Sequence, residues 1–262
     1  MTFQPIVPLS GYTGWRFLQR TMENQRAAFE NDSSVQRATD YFRENIANVR
    51  TAEDLVSDRQ LLSVALGAFG LDDDINNKFF IQKVLEEGTF ESTSLANRLS
   101  DSRYSDLSRA FGFGDFPIPS TALSDFPDQM IERYEDKQFE IAVGEQNSDL
   151  RIALNMNSAL SDVVEGASTN DAQWFSIMGN TALRTLVQSA LGLPSSIATI
   201  DIDQQLEAFK DKAKSNFGTD EVSALLDPEI QEKMIRLFLV RSEAAASDST
   251  SRFSIALTLL QS

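Results

Sequence analysis

The chain contains no cysteine and no histidine. Without cysteine there are no disulfides, no thiolate nucleophile and no zinc–sulfur centre. Without histidine the commonest general base and commonest metal ligand are missing, so Ser/His/Asp and Cys/His hydrolysis are both excluded. Proline and glycine are scarce, at 7 and 12 of 262 residues, too few for the many turns of a β-sandwich or barrel. Positive charge is also in short supply: 23 basic residues face 39 acidic ones, for a net charge of −16. Such a surface repels phosphate backbones and anionic membranes, and no Lys/Arg cluster relieves it, so no nucleic-acid partner is expected. No apolar run approaches the ~18 residues of a membrane span. Residues 1–10 carry neither a basic n-region nor an apolar h-region. The expected location is therefore the cytoplasm, with export without a cleaved signal as the alternative.

What remains is helical spacing. Pro5, Pro8, Gly11 and Gly14 mark residues 1–14 as an extended arm. Apolar residues then recur at intervals of three and four. Trp15, Leu18, Met22 and Phe29 predict one helix to about Glu30, and Val35, Ala38, Phe42 and Ile46 another. Thr51 caps a helix carrying Leu55, Leu62, Ala65, Leu66 and Phe69 that stops at Gly70. Asp72–Asp74 opens the next, through Ile81 and Leu85 to Gly88, and Tyr104, Leu107 and Phe111 mark one ending at Gly112. Residues 112–127 hold two glycines and three prolines and are the expected boundary between halves. Beyond it the pattern predicts helices from Pro127 to about Gly144, around Leu150–Val164, over Asp171–Leu191 and around Ile202–Phe209. Two more are expected, from Pro228 through Phe238 and from Arg252 to Gln261. The expected fold is all-α: a multi-helix protein with an arm over 1–14, an N-terminal helical unit over 15–118 and a C-terminal one over 119–262.

Ala68-Phe69-Gly70-Leu71 recurs as Ala110-Phe111-Gly112-Phe113 and as Ala190-Leu191-Gly192-Leu193. Around the first and third copies the likeness extends to Ile75 and Ile197 at constant offset. Two readings fit: convergent helix capping, or a degenerate helical-hairpin repeat born of duplication.

Motifs that would carry chemistry fail on inspection. Asp72, Asp74 and Asn76 match the first ligands of a calcium loop, but Asn77 replaces its glycine and Lys83 its bidentate glutamate. Gly112-Phe113-Gly114 lacks a preceding strand, and Pro117 stands where a dinucleotide fingerprint needs its third glycine. Trp15 and Trp174 fall on apolar helix faces and read as core. No catalytic, cofactor-binding or metal-ligating residue is singled out, no cofactor is expected, and the chain reads as a non-enzyme. The alternatives are a carboxylate enzyme using magnesium, which oxygen ligands alone could hold, and an exported surface protein.

Several stretches together resemble an alphaproteobacterial family known as domain of unknown function 1217. They are Gly14-Trp15-Arg16-Phe17-Leu18, Thr51-Ala52-Glu53-Asp54-Leu55, Ala65 to Leu71, Ala96-Asn97-Arg98-Leu99, Phe139 to Gly144, Arg151-Ile152-Ala153-Leu154, and Leu191-Gly192-Leu193-Pro194. The family's genes usually sit within flagellar clusters. The resemblance implies a helical fold and a flagellar protein partner, and it carries over no reaction and no site residues. Within it, Arg98 and Arg151 read either as ties to carboxylates on other helices or as exposed side chains lying along their stems. The function expected is that of a protein-binding assembly factor, chaperone-like protein or minor structural component; the oligomeric state is left open.

Overall fold

Asp32, Thr51, Asp58, Asn147, Thr169, Asn180 and Asp201 each accept a backbone N–H at the start of a helix, and these caps set much of the architecture. The computed structural model describes the backbone of residues 3–260 and the side chains of 3–247. Thirteen α-helices occupy the described residues, with short 3-10 turns between some of them and no strand. The protein is all-α, as its spacing predicts.

The described residues form two units, 3–5 with 22–142 and 6–21 with 143–260. The first holds the end of α1 (Gly11–Glu30), then α2 (Ser33–Asn45), α3 (Ala52–Ser57), α4 (Arg59–Gly67), α5 (Lys78–Glu87), α6 (Leu95–Arg98) and α7 (Arg103–Phe111), and most of α8 (Phe126–Gln146). At its centre lies α4, whose Leu61, Leu62, Val64, Ala65 and Leu66 are all buried. Phe42, Leu55, Ile81, Leu107, Phe111 and, from α8, Phe126, Met130 and Ile131 share its core. The second unit holds the start of α1 with α9 (Ser148–Gly166), α10 (Asn170–Gly179), α11 (Thr181–Leu191), α12 (Ile202–Phe217) and α13 (Pro228–Leu260). Here α11 is central, burying Leu183, Leu186, Val187, Ala190 and Leu191 against α9, α10, α12 and α13.

Five sequence-based boundaries move. The division falls after residue 142 rather than 118, because α8 places Phe126, Met130 and Ile131 in the first core. The arm is shorter than 1–14, since α1 already begins at Gly11. The helix expected from Thr51 to Gly70 is two, broken where Asp58 turns extended and caps Gln60 and Leu61. Asp171–Leu191 breaks likewise, at Asn180, which caps Leu183. The separate final helix over 252–261 is instead the end of α13, with Gln261 outside the described residues.

The cap echo resolves into two kinds. Gly70 and Gly192 both sit at positive φ, 66° and 71°, and each closes a Schellman motif: Leu71 N–H donates to the Leu66 carbonyl, Leu193 N–H to that of Gln188. At Gly112 the bond is the simpler one, from its own N–H to the Ser108 carbonyl. The likeness of the first and third copies also runs further than the cap. Each central helix follows a Thr-capped helix and an Asp or Asn cap, and each precedes a 3-10 turn and another helix (α5 or α12). Each unit ends in a long helix carrying proline in its first turn. From that helix Arg133 donates to the Ala68 carbonyl and Arg241 to the Ala190 carbonyl, the same place in the repeated motif. Only the first unit inserts α6 and α7. Convergent capping accounts for the glycines but not for the shared order.

Candidate interaction surface

Acidic side chains are numerous, yet the ones that look like ligands in sequence serve the fold. Asp74 accepts from the Tyr104 hydroxyl at 2.7 Å and from Asn77 at 2.6 Å, and Asp72 accepts from Gln138 at 2.8 Å. Burial and that bond to Asp74 push the Tyr104 hydroxyl up to about 12. Asp54 completes a capping box with Thr51, and the backbone and hydroxyl donors around it hold its carboxyl below the usual range. Among the described residues no three Asp or Glu converge on a point where a metal ion could sit. Nor is any helix among them long and apolar enough to cross a membrane.

Trp174 is fully buried and its indole N–H donates to the Asp220 carbonyl at 2.8 Å; Trp15 is buried too. Both are core, as their spacing predicts. Arg98 is exposed at the end of α6, and the stem of Arg151 lies against Gly144, where a side chain on the glycine would collide with it. The second unit carries an open depression of about 410 Å³ along α10 and α11, lined by Met178, Thr181, Arg184, Gln188 and Leu193. Its one charged group is engaged internally, Arg184 donating to the Met178 carbonyl and to Gln205.

The first unit offers a different kind of surface. Phe90 and Phe116 meet edge to face with ring centroids 5.3 Å apart, and they are 69% and 51% exposed. Ile118 and Leu123, on the same segment as Phe116, are 70% and 57% exposed. Aromatic rings usually leave water on folding, so a pair held in solvent calls for a cause. The local backbone supplies it. Asp115 accepts hydrogen bonds from the backbone N–H of Thr89 and Phe90, at 2.6 and 3.1 Å, and from the Thr89 hydroxyl at 2.9 Å. The loop after α5 is thereby tied to the loop after α7. The two chains come so close that a side chain on Gly114 would overlap the Glu86 carbonyl and the Gly88 nitrogen. The pair is built rather than left over.

Sequence reasoning placed apolar residues in the core and passed over these two. A usable signal was present: both lie outside every helical stripe, Phe90 two residues after Gly88 and Phe116 between Asp115 and Pro117.

The model of the family described as "Protein of unknown function (DUF1217)" matches residues 68–230. The chain belongs to that family. The matched part of this DUF1217 protein includes both Schellman glycines and the Phe90–Phe116 pair. The crystal structure of protein AGR_C_984 from Agrobacterium tumefaciens is similar to this DUF1217 chain, with a TM-score of 0.69 and 25% sequence identity. The likeness covers 92% of this chain and 98% of that one. No curated protein matches.

Proposed function

We propose that this DUF1217 protein is a non-catalytic, flagellum-associated binding protein that acts through contact with another protein during assembly. The observation that carries the reading is the pinned aromatic pair, Phe90 with Phe116, beside Ile118 and Leu123. Exposed aromatics fixed by neighbouring backbone are what protein-binding surfaces present, because little side-chain entropy is lost when they are covered. The flagellar setting comes from the family resemblance alone. The cytoplasm is the location proposed, with release through the flagellar apparatus as its rival. A deletion strain tests the setting: it is expected to swim poorly or to build incomplete filaments, and normal motility with complete filaments would count decisively against the proposal. Fractionation into cytoplasm, basal body and culture supernatant tests the location.

A further inference from the structure

The charge around the aromatic pair says which kind of protein covers it. The two segments that meet there, residues 84–97 and 110–132, contain seven acidic residues and not one Lys or Arg. Glu91 directly follows Phe90, and Asp115 directly precedes Phe116. Glu86 and Glu91 are exposed, as is Asp125 beyond Leu123. An apolar centre of aromatic rings with a polar rim has the composition of a docking surface, and here acids outnumber bases, with Lys83, Arg98, Arg109 and Arg133 standing just beyond the ends of the two segments.

We propose that the Phe90–Phe116 surface docks a basic amphipathic segment of another protein, whose aliphatic side chains cover the rings while its Lys or Arg side chains meet the flanking acids. A second copy of this chain is a poor occupant, because it brings a net charge of −16 and the same acidic rim to the contact. An acidic amphipathic segment fails for the same reason. The inference rests on the protein-binding reading above and adds the surface and the chemistry of the partner. Asp115 is a positioning residue in this account: it fixes the two loops and leaves the contact to the rings.

The test uses the whole purified protein and two synthetic amphipathic peptides, one of leucine and lysine at helical spacing and one of leucine and glutamate. Binding is followed by fluorescence anisotropy at physiological ionic strength, so that unspecific charge attraction is screened. The lysine peptide is expected to bind. Replacing both rings, Phe90→Ser with Phe116→Ser, leaves the net charge unchanged and is expected to weaken that binding by about tenfold or more. Both rings are exposed, so thermal unfolding of the variant should match the parent. Ile118→Ser gives a second, smaller perturbation of the same surface. Asp115→Ala is expected to weaken binding while both rings remain.

Failure of the parent to bind the lysine peptide overturns the proposal, as does equal binding by parent and double variant. Equal binding of the glutamate peptide refutes the charge selection. Sedimentation showing a dimer of the parent that the double variant cannot form would assign the surface to a second copy and also overturn it. These outcomes are separable from the flagellar reading. A partner captured from motile cells equally by parent and double variant would keep the protein-binding role and move it off this surface.

Discussion

Glu135 on α8 titrates far from where a carboxylate usually does. Partial burial raises it first, Glu30, Asp136 and Glu132 raise it further, and Arg43 opposes them; the result is about 7 against an ordinary 4.5. Between those two values the folded chain holds a proton that the unfolded chain has released. The carboxyl's contribution to stability is therefore complete below about 4.5 and lost as pH rises through about 7. Glu135→Gln keeps the shape and removes the titration. The variant is expected to melt higher than the parent at pH 8, by on the order of 2–4 °C, with the gap closing near pH 5. A gap that stays constant across that range would place the effect elsewhere. Nothing in the one-dimensional sequence marks Glu135, because its environment depends on how closely the end of α1 approaches α8. The exposed phenylalanines were more legible. Phe90 follows a helix-ending glycine and Phe116 lies in a glycine- and proline-rich loop, where a ring has no helical stripe to join. What the sequence withheld was Asp115 reaching the Thr89 backbone across 26 positions.

At the scale of elements, helix ends were easier to read than helix breaks. Gly70 and Gly192 announce themselves because an amphipathic stripe stops there and the left-handed turn excludes a side chain at little cost only for glycine. The breaks at Asp58 and Asn180 were invisible for a simple reason. Leu55, Leu62, Ala65 and Leu66 keep helical spacing straight through Asp58, and nothing in that periodicity records one residue turning extended. The repeated cap gives a paired expectation. Gly70→Ala and Gly192→Ala should each destabilise by about 1 kcal/mol, since alanine is strained at positive φ. Gly192→Ala should be the worse of the two, because its added methyl lies 3.1 Å from the Arg241 guanidinium while Gly70 has 3.5 Å to its nearest neighbour. Gly166→Ala, with nothing within 4 Å, is the control and should be neutral or slightly stabilising. Urea unfolding of the three variants decides it, and equal losses at all three would remove the cap as the cause. The arginines beyond these caps make the same point from the other side. Arg133 stacks 4.2 Å over Phe69 while bonding the Ala68 carbonyl, and Arg241 bonds the carbonyls of Ser189 and Ala190. Each puts a positive charge where the helix dipole is negative. Arg133→Met and Arg241→Met should each cost about 0.5–1 kcal/mol in the same assay, more at low salt than at high.

For the whole molecule, the all-α class followed from composition and periodicity, while the division into units did not. The sequence offered its most loop-like stretch, residues 112–127, as the boundary, on the reasonable ground that glycine and proline interrupt helices. That stretch does interrupt a helix, but it also carries the chain back to the same core. Its Thr121 hydroxyl donates to the Val49 carbonyl at 2.7 Å, and the helix it launches seats Phe126, Met130 and Ile131 beside Leu62 and Leu66. Further along α8, Phe139 stacks against Phe29 at 6.1 Å. A loop's composition says that the chain turns, not whether it leaves. The two boundaries make opposite demands on a fragment. A chain of residues 22–118 lacks every α8 side chain in the first core, opening an apolar face beside α4, and is expected to aggregate or to unfold without a sharp transition. A chain of residues 22–142 retains them all and is expected to unfold cooperatively in urea, with a steeper denaturant dependence than the shorter one because more surface is buried. Equal behaviour of the two fragments would mean that α8 adds nothing to the first core, and the boundary would return to the loop.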